Sequence, residues 1–394
     1  MLSGTSALLS AASALQRDKG QAVLATVVKV EGSAYRRPGA RMLIPLYGGT
    51  VGTISGGCLE SEVAKKAWWL TDGGEAVIRR YSTATQDDED DQDAALTFGL
   101  GCNGTVHVLL ERHSAERPLP VLDLLRQVRE SGQAGAVATV IGSYRHARVR
   151  VGDRLALHAS LAVGEQLLDP MLDAQVRIDL AETLAQGRSS LRTYRDARGE
   201  IEVFCEYLAP QRRLVIFGAG HDAQPLTHMA KLMDWHVSVV DGRAHFARTE
   251  RFPDADLVMQ ADACPPYALS HLTDGAMVAI MSHSYSQDRH WLGGVLQGRP
   301  AYVGQLGPRE RTERLLTEIT RHTPHLPSLD RLHYPIGLDI GSDTPEGVAT
   351  AILAEMTAAM NQREGGMLKH RQAAIHAPTP QDASDIEAPR LTAH

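Results

Sequence analysis

The stretch LVIFGAGHDA at residues 214–223 decides the fold of the second half of this chain. Four apolar residues, typical of a buried strand, run directly into a G-x-G-x-x-A turn formed by Gly218, Gly220 and Ala223. A second apolar run ends at Asp241, about twenty residues beyond the turn, as nucleotide-binding βαβ units require. The residues therefore predict a doubly wound α/β domain with a parallel sheet.

Strand and helix patterns keep alternating after the turn, which is typical of successive βαβ units. The hinge Pro210–Arg212 precedes this region, and Thr344 followed by a proline and an acid predicts the start of a final helix that ends near Met360. We assign residues 210–360 to a Rossmann-like C-terminal domain. The polar, Ala/Pro-rich residues 361–394 are expected to form a disordered tail.

The first 209 residues mix helix and strand patterns and predict a separate mixed α/β domain, which divides into sub-modules at 1–115 and 116–209. The run AVATV at 136–140 echoes VLATV at 23–27. This echo is too weak to predict an internal repeat.

Composition excludes several classes of protein. The net charge of −7 argues against a nucleic-acid-binding face, and no run of 18 apolar residues occurs. The start of the chain lacks the basic segment of a secretory signal, and the four cysteines form no C-x-x-C pair, so we expect a cytoplasmic protein with reduced thiols and no metal site. The acidic run Asp87–Asp93 is expected to be a solvated loop.

The glycine turn is the first candidate binding site. Backbone N–H groups at Gly218, Gly220, His221 and Asp222 are placed to meet a phosphate at a helix N-terminus. Asp241 and the nearby Arg243 are candidates to contact a ribose or another polar edge. A doubly wound fold whose nucleotide site is lost or reused, and a His221 that only caps the helix, remain alternative interpretations.

A second group lies at the carboxyl end of the strand predicted at 277–280, where ligands bind in open parallel sheets. It consists of Ser282, His283 and Asp288. A polar loop histidine without a ligand remains the alternative for His283.

Glycine-rich loops in the N-terminal half carry the remaining candidates. Arginines suit phosphate or oxyanion recognition, and a thiol at a helix N-terminus is a better nucleophile or metal ligand. The candidates are Arg36, Arg37, Arg41, Ser55, Gly56, Gly57, Cys58, Glu60 and Cys102. A cysteine that is merely a small buried apolar side chain is the alternative for both thiols.

Together these motifs resemble the XdhC/CoxI family of xanthine dehydrogenase accessory proteins, in family order and over nearly the whole chain to about Met360. The motifs are GSAYRRPGAR at 32–41, GGCLE at 56–60, GAGH at 218–221, MSH at 281–283 with Asp288, YVG at 302–304, PIGLDIG at 335–341 and the following TPE at 344–346.

The resemblance implies a dimeric cytosolic chaperone rather than an enzyme. It implies that the chain binds the molybdenum cofactor in its molybdopterin form and protects it during sulfuration by a cysteine desulfurase. The cofactor would then pass to a xanthine dehydrogenase-like molybdoenzyme. On this interpretation the turn and the arginines hold the phosphate, and Cys58 or Cys102 approaches the metal or a transferred sulfur.

An NAD(P)-dependent oxidoreductase is the main alternative, because the turn and Asp241 also fit a dinucleotide. Against it, the chain has no Tyr-x-x-x-Lys pair, and Lys369 is the only lysine after Lys231. A hydrolase using Ser282 and His283 is disfavoured because no G-x-S-x-G motif precedes them.

Overall fold

The structure, a computed structural model, describes residues 4–32, 34–82, 104–146, 148–158, 161–162, 167, 169–196, 199–261 and 269–372. The acidic run at 87–93, Cys102 and residues 373–394 of the predicted tail lie outside the described residues. The chain divides into two compact units, Met1–Gln211 and Arg212–His394.

The first unit is mixed α/β. Its elements are α1 (Thr5–Arg17), β1 (Ala22–Gly32), β2 (Arg41–Pro45), β3 (Val51–Gly52), α2 (Glu60–Leu70), β4 (Val77–Ser82), β5 (Gly104–His113), α3 (Pro120–Ser131), β6 (Gly135–Tyr144), β7 (Arg154–His158), β8 (Leu161–Ala162), α4 (Pro170–Gln186), β9 (Ser190–Asp196) and β10 (Gly199–Leu208). Among the described residues they form two antiparallel sheets, ordered β3-β2-β1-β5-β4 and β8-β7-β6-β10-β9.

These two sheets are copies of one arrangement. Each follows the order helix, three strands, helix, two strands, and each has its first strand at the centre. The register agrees as well, since Thr26 of β1 lies opposite Arg41 of β2 and Thr139 of β6 lies opposite Arg154 of β7. The echo between 23–27 and 136–140 therefore marks a real internal repeat.

Reciprocal ion pairs join the two copies. Arg41 of the first copy donates from Nη1 to Oε1 of Glu206 in the second, at 2.8 Å. Arg154 of the second copy donates from Nη1 to Oε1 of Glu111 in the first, at 2.6 Å. All four side chains are at most 10% exposed. This reciprocity indicates that a two-fold relation links the copies.

An apolar cluster lies between the copies and follows the same relation. It contains Val28 and Leu109 from the first copy, with Ile141 and Phe204 from the equivalent strands of the second. Each side chain is at most 7% exposed, so burial of apolar surface reinforces the ion pairs at this joint.

The second unit is a doubly wound parallel sheet, as predicted. Its elements are β11 (Arg213–Phe217), α5 (Ala223–Leu232), β12 (His236–Asp241), β13 (Leu257–Gln260), α6 (Ser270–Thr273), β14 (Met277–Ile280), α7 (Tyr285–Gln297), β15 (Tyr302–Gln305), α8 (Arg309–His322), β16 (Leu332–His333) and α9 (Pro345–Met360). Strand order among the described residues is β13-β12-β11-β14-β15-β16, with every neighbouring pair parallel.

Alternate side chains of β11 lie on opposite faces of this sheet, and each face packs in its own apolar core. Leu214 and Ile216 lie in a core with residues of α5 and α9, whereas Val215 and Phe217 lie in a core with residues of α7 and α8. The chain turns back between β11 and β14, so the ends of these two strands form the switch point where such folds bind ligands.

Helix ends follow local chemistry. Thr344 caps α9 by accepting from the N–H of Gly347, with Pro345 at the first helical position, as the sequence predicted.

The tail was expected to be disordered from residue 361, but 361–372 are described and include a 3₁₀ turn at Leu368–His370. No helix within the described ranges is long and apolar enough to cross a membrane.

The reciprocal ion pairs give a stability prediction. Replacing Arg41 with Met leaves the buried carboxylate of Glu206 without its partner, so we expect the free energy of unfolding to fall by about 3 kcal/mol. The double variant Arg41→Met, Glu206→Leu should recover more than half of this loss in urea titrations. The control is Arg195→Met, which breaks an exposed pair with Glu200 and should leave the transition unchanged. Equal losses in the single and double variants would contradict the assignment.

Candidate functional site

The glycine turn after β11 packs directly against the segment after β14. Gly218 has a φ of +119°, and a Cβ atom there would lie 2.5 Å from the carbonyl oxygen of Met281 and 2.6 Å from Cα of Ser282. Only glycine allows this approach. The backbone of Met281 and Ser282 thus occupies the space beside Gly218 at the switch point.

Asp241 ties the same turn to the end of β12. Its carboxylate is fully buried and accepts hydrogen bonds from the N–H of Ala219 at 2.7 Å and from the N–H and guanidinium of Arg243 at 2.8–2.9 Å. Burial alone raises the pKa of Asp241, but the hydrogen bonds from Arg243 and Ala219 outweigh it and hold the pKa below its usual value.

Asp241 is therefore not open to a ribose in this conformation, contrary to the expectation from the sequence, whereas Arg243 pairs with it but keeps 34% of its side chain exposed. Both oxygens of Asp241 are occupied, and the guanidinium of Arg243 also lies 3.9 Å from the centre of the Phe246 ring. A dinucleotide contact of the usual kind is missing its acceptor.

The outer part of the turn remains open. Within the described residues, the N–H groups of Gly220, His221 and Asp222 have no hydrogen-bond acceptor. They immediately precede α5, so the positive end of the helix dipole adds to them. The side chain of His221 is exposed beside them. This group of N–H donors is suited to an anion such as a phosphate.

His283 lies next to the open N–H groups in a strained backbone conformation. Its φ is +58°, which is uncommon for a residue with a side chain, and its Nε2 lies 3.1 Å from Oδ2 of Asp222. The ring is also the nearest neighbour of Gly220, where a Cβ would lie 3.7 Å from it. The structure thus brings together Gly220, His221, Asp222 and His283.

Ser282 and Asp288, in contrast, are buried and hydrogen-bonded to each other within the fold. The N–H and the hydroxyl of Ser282 both donate to Oδ1 of Asp288, while Oδ2 accepts from Gln305 at 3.0 Å and Arg311 at 2.6 Å. Both side chains are at most 2% exposed, so they position His283 rather than face a ligand. Sequence reasoning missed Gln305 and Arg311, which carry no motif of their own.

In the first unit, Glu60 organises the loop that carries Cys58. Its Oε1 accepts from Thr53 Oγ1 and from the N–H groups of Ile54 and Ser55, and its Oε2 accepts from the hydroxyl of Ser55. Burial alone raises the pKa of Glu60, but the hydrogen bonds from Ser55 and Thr53 lower it to about 2. Glu60 is therefore a structural anion that fixes the loop.

Ser55 completes this loop and presents the thiol. Its Oγ accepts from the N–H groups of Gly57 and Leu59, and Sγ of Cys58 lies 3.3 Å from it. Cys58 itself is exposed. Cys58 lies two residues before α2, which begins at Glu60, and Gly57, with a φ of +110°, turns the chain before it.

The three candidate arginines of this unit differ in whether they are open to a ligand. Arg41 is committed to Glu206, so it is not open to a ligand in this conformation. Arg37 is exposed and Arg36 is half-buried, with its guanidinium 5.7 Å from the centre of the exposed Tyr35 ring. That ring also covers Gly56, which connects Arg36 to the Cys58 loop.

The internal repeat provides a comparison for this loop. In the second copy, Asp173 accepts from the N–H of Leu167 at 2.9 Å, as Glu60 accepts from Ile54. There, α4 begins at Pro170 and is capped by Asp169, whereas α2 begins at Glu60 itself. The first copy therefore has an open loop where the second has a capped turn of helix.

No cluster of three or more metal-ligating His, Cys, Asp or Glu side chains occurs among the residues that the structure describes. Neither the exposed Cys58 nor the His283–Asp222 pair therefore belongs to such a cluster.

Glu60 gives a pH prediction. Because its folded pKa lies below the unfolded value near 4.5, its contribution is present above pH 4.5 and is lost as the pH falls toward about 2. We expect Glu60→Gln to lower the free energy of unfolding at pH 7 by about 1 kcal/mol after allowance for solvent screening. The difference from the wild type should shrink between pH 4.5 and 3 in parallel urea titrations. A difference that does not change with pH would refute a charged Glu60 as the loop's anchor.

Each unit contains a segment that matches a known family. Residues 15–82 match the XdhC and CoxI family, and residues 214–356 match the XdhC Rossmann domain. The chain is 32% identical over 347 residues to a Bacillus subtilis protein named as a probable subunit of xanthine dehydrogenase, and the match covers 87% of this chain and 94% of that one.

Two further relatives are informative. A segment of 122 residues, 31% of this chain and 36% of the relative, is 35% identical to the molybdenum cofactor insertion chaperone PaoD of Escherichia coli. A crystal structure described as a xanthine dehydrogenase from Bacillus halodurans is similar with a TM-score of 0.66 and 27% identity, over 91% of this chain and 96% of that one. The chain accordingly belongs to the XdhC and CoxI family.

Proposed function

We propose that this protein is a non-catalytic chaperone that holds the molybdenum cofactor for a xanthine dehydrogenase-like molybdoenzyme. One observation is the main support for the proposal. In the glycine turn, the N–H groups of Gly220, His221 and Asp222 are open, whereas the carboxylate of Asp241 already accepts hydrogen bonds from within the fold. Such a turn binds a phosphate without reading a ribose. The molybdenum cofactor carries a phosphate at one end of its pterin.

The anion site supplies the first contact with the cargo. The open N–H groups and the positive end of the α5 dipole attract the phosphate, and exposed His221 and His283 border it. His283 is fixed by its contact with Asp222 and by the buried Ser282–Asp288 pair beneath it.

Independently of the turn, the Cys58 loop of the first unit offers the kind of soft contact that molybdenum or a transferred sulfur requires. It is anchored by Glu60, and its thiol is exposed. Specialisation of this loop supports a functional role, because the equivalent segment of the second copy is an ordinary capped helix. We propose the same role for Cys102, and we propose that Arg36 and Arg37 attract the anionic cargo toward this loop.

The partners follow from the same proposal. The names of the relatives concern xanthine dehydrogenase and cofactor insertion, and we extend both to this chain. A cysteine desulfurase that sulfurates the bound cofactor, and a homodimer as the working form, complete the proposal.

An NAD(P)-dependent oxidoreductase is the second candidate, favoured only by the G-x-G-x-x-A turn. The occupied carboxylate of Asp241 speaks against it, because that acid normally accepts from the ribose hydroxyls.

The experiment is expression of the full chain in a cofactor-producing host, followed by measurement of co-purified molybdenum and of oxidised pterin fluorescence. We expect near-stoichiometric pterin in the wild type and an approximately tenfold loss in Gly220→Asp, whose added charge repels the phosphate. Gly220→Ala is the matched control, because a Cβ there meets only ordinary contacts at 3.7 Å. It should retain pterin.

Cys58→Ala tests the sulfur contact in the same preparation. We expect it to retain pterin but to lose molybdenum or its terminal sulfur relative to pterin, because the phosphate anchor is untouched. A wild type that carries no pterin but binds NAD(P) avidly in calorimetry would refute the chaperone and favour the oxidoreductase.

A further inference from the structure

The connection between β6 and β7 carries three exposed arginines in the sequence YRHARVR at 144–150. We call its residues 144–146 and 148–150 the arginine loop. Tyr144 is 58% exposed, and Arg145, Arg148 and Arg150 are exposed as well. None of the three guanidinium groups has a hydrogen-bond or ion-pair partner among the described residues. In a chain with a net charge of −7, this short loop therefore concentrates positive charge.

The inward side chains of the arginine loop are fixed by the fold. The hydroxyl of Ser143 donates to the carbonyl of Val149 at 2.7 Å and lies 3.3 Å from that of His146. His146 and Val149 are buried, and Nε2 of His146 lies 3.7 Å from Oδ2 of Asp169, the cap of α4. The arginines thus stand on a held backbone, which limits the ordering cost when a partner binds.

Acidic side chains of the neighbouring elements form no ion pair with the loop arginines among the described residues. Glu200 of β10, which lies opposite Tyr144 in the sheet, is paired with Arg195 at 2.6 Å. Asp153 accepts from the N–H of Arg150 at 2.7 Å. The guanidinium groups therefore remain available to carboxylates from outside the chain.

A cavity of about 280 Å³ lies beside the loop, at the joint between the two copies. Its apolar lining includes Ile78 from the first copy and Ile141, Tyr144 and Val151 from the second. The volume lies below the range of about 300–1,000 Å³ that is typical of small-molecule sites. It suits a single apolar side chain of a partner, and such an anchor in a pocket is a common centre of a protein interface.

The internal repeat shows what distinguishes this loop. The first copy also has an exposed tyrosine followed by arginines after its first strand, Tyr35 with Arg36 and Arg37, beside the Cys58 loop. The second copy keeps this pattern, but residues 163–169 before α4 contain no cysteine. A basic loop that is retained without the thiol favours an anion other than the proposed cargo.

We propose that the arginine loop and the adjacent cavity form a docking surface for an acidic segment of a partner protein that carries one apolar side chain. Arginine pairs with carboxylates through two parallel hydrogen bonds, and arginine and tyrosine are enriched at protein interfaces. Membrane-binding clusters contain about four to eight basic residues, more than this loop has. The net charge of −7 argues against nucleic acid. The proposal does not depend on the cargo.

The experiment measures binding of a fluorescein-labelled peptide of glutamates around a central leucine to the purified full-length protein by fluorescence anisotropy. We expect affinity about tenfold above that of the same peptide built from glutamines, and a loss of affinity as the salt concentration rises. Replacing the leucine of the peptide with serine should weaken binding about fivefold. Equal affinity for the glutamate and glutamine peptides would overturn the docking surface without any change to the protein.

The double variant Arg148→Ala, Arg150→Ala tests the loop itself and should weaken the glutamate peptide about tenfold. Arg145 is left in place because its φ of +62° makes substitution there a backbone change as well. Arg17→Ala, which removes an exposed arginine of α1 without a partner among the described residues, is the matched control. It should bind as the wild type. Unchanged affinity in the double variant, or an equal loss in the control, would refute the assignment.

Three further measurements separate other occupants from a partner protein. Tighter binding of anionic phospholipid vesicles or of single-stranded DNA than of the peptide would overturn the acidic segment. A rise of about tenfold in peptide affinity when the acids at 87–93 are replaced by their amides would assign the loop to this chain's own acidic run and overturn the partner. Loss of co-purified pterin in the double variant would assign the loop to the cargo, whereas a wild type without pterin would refute only the chaperone.

Discussion

Two backbone segments, one after β11 and one after β14, approach each other so closely at Gly218 that no side chain fits between them. This contact fixes the start of α5 relative to the loop that carries His283. The carboxylate of Asp241 secures the same turn from the neighbouring strand by accepting from Ala219. Because both restraints act on the inner part of the turn, only its outer N–H groups remain available to a ligand.

A related principle organises the first unit. Reciprocal buried pairs, Arg41 with Glu206 and Arg154 with Glu111, hold two copies of one sheet together. Removing either partner of such a pair leaves an uncompensated buried charge, so both pairs restrain how the two copies pack against each other. The connection between β9 and β10 spans only residues 197–198, whereas the equivalent connection in the first copy spans 83–103. The first copy thus has the longer stretch of chain between its last two strands, and it also carries the open Cys58 loop.

The sequence predicted much of the second unit, because a glycine turn and alternating apolar runs are local signals. It predicted the position of Asp241 but not its bonds, since the fingerprint specifies where an acid stands and not whether Arg243 and Ala219 already occupy it. The sequence likewise shows that Arg41 lies near Arg36 and Arg37 in one loop motif, but it does not show that Glu206 already pairs with Arg41.

Contacts between residues that are far apart in the sequence could not be predicted from local patterns. The partner of Arg41 is Glu206, 165 residues away, and no local pattern links them. The repeat was faint in sequence because the two copies share chiefly buried apolar positions, where many residue types are equivalent.

Both candidate loops are built in the same way, although they lie in unrelated units. In each, a carboxylate accepts from loop N–H groups, Glu60 from Ile54 and Ser55 and Asp241 from Ala219 and Arg243, and its pKa falls below its usual value. A carboxylate used in this way is structural and does not transfer protons near neutral pH. What remains exposed is the Cys58 thiol in one loop and, in the other, backbone N–H groups bordered by the imidazoles of His221 and His283. For the carrier that we propose, these internally held carboxylates preorganise the contacts to the cargo, so less conformational entropy is lost when the cargo binds.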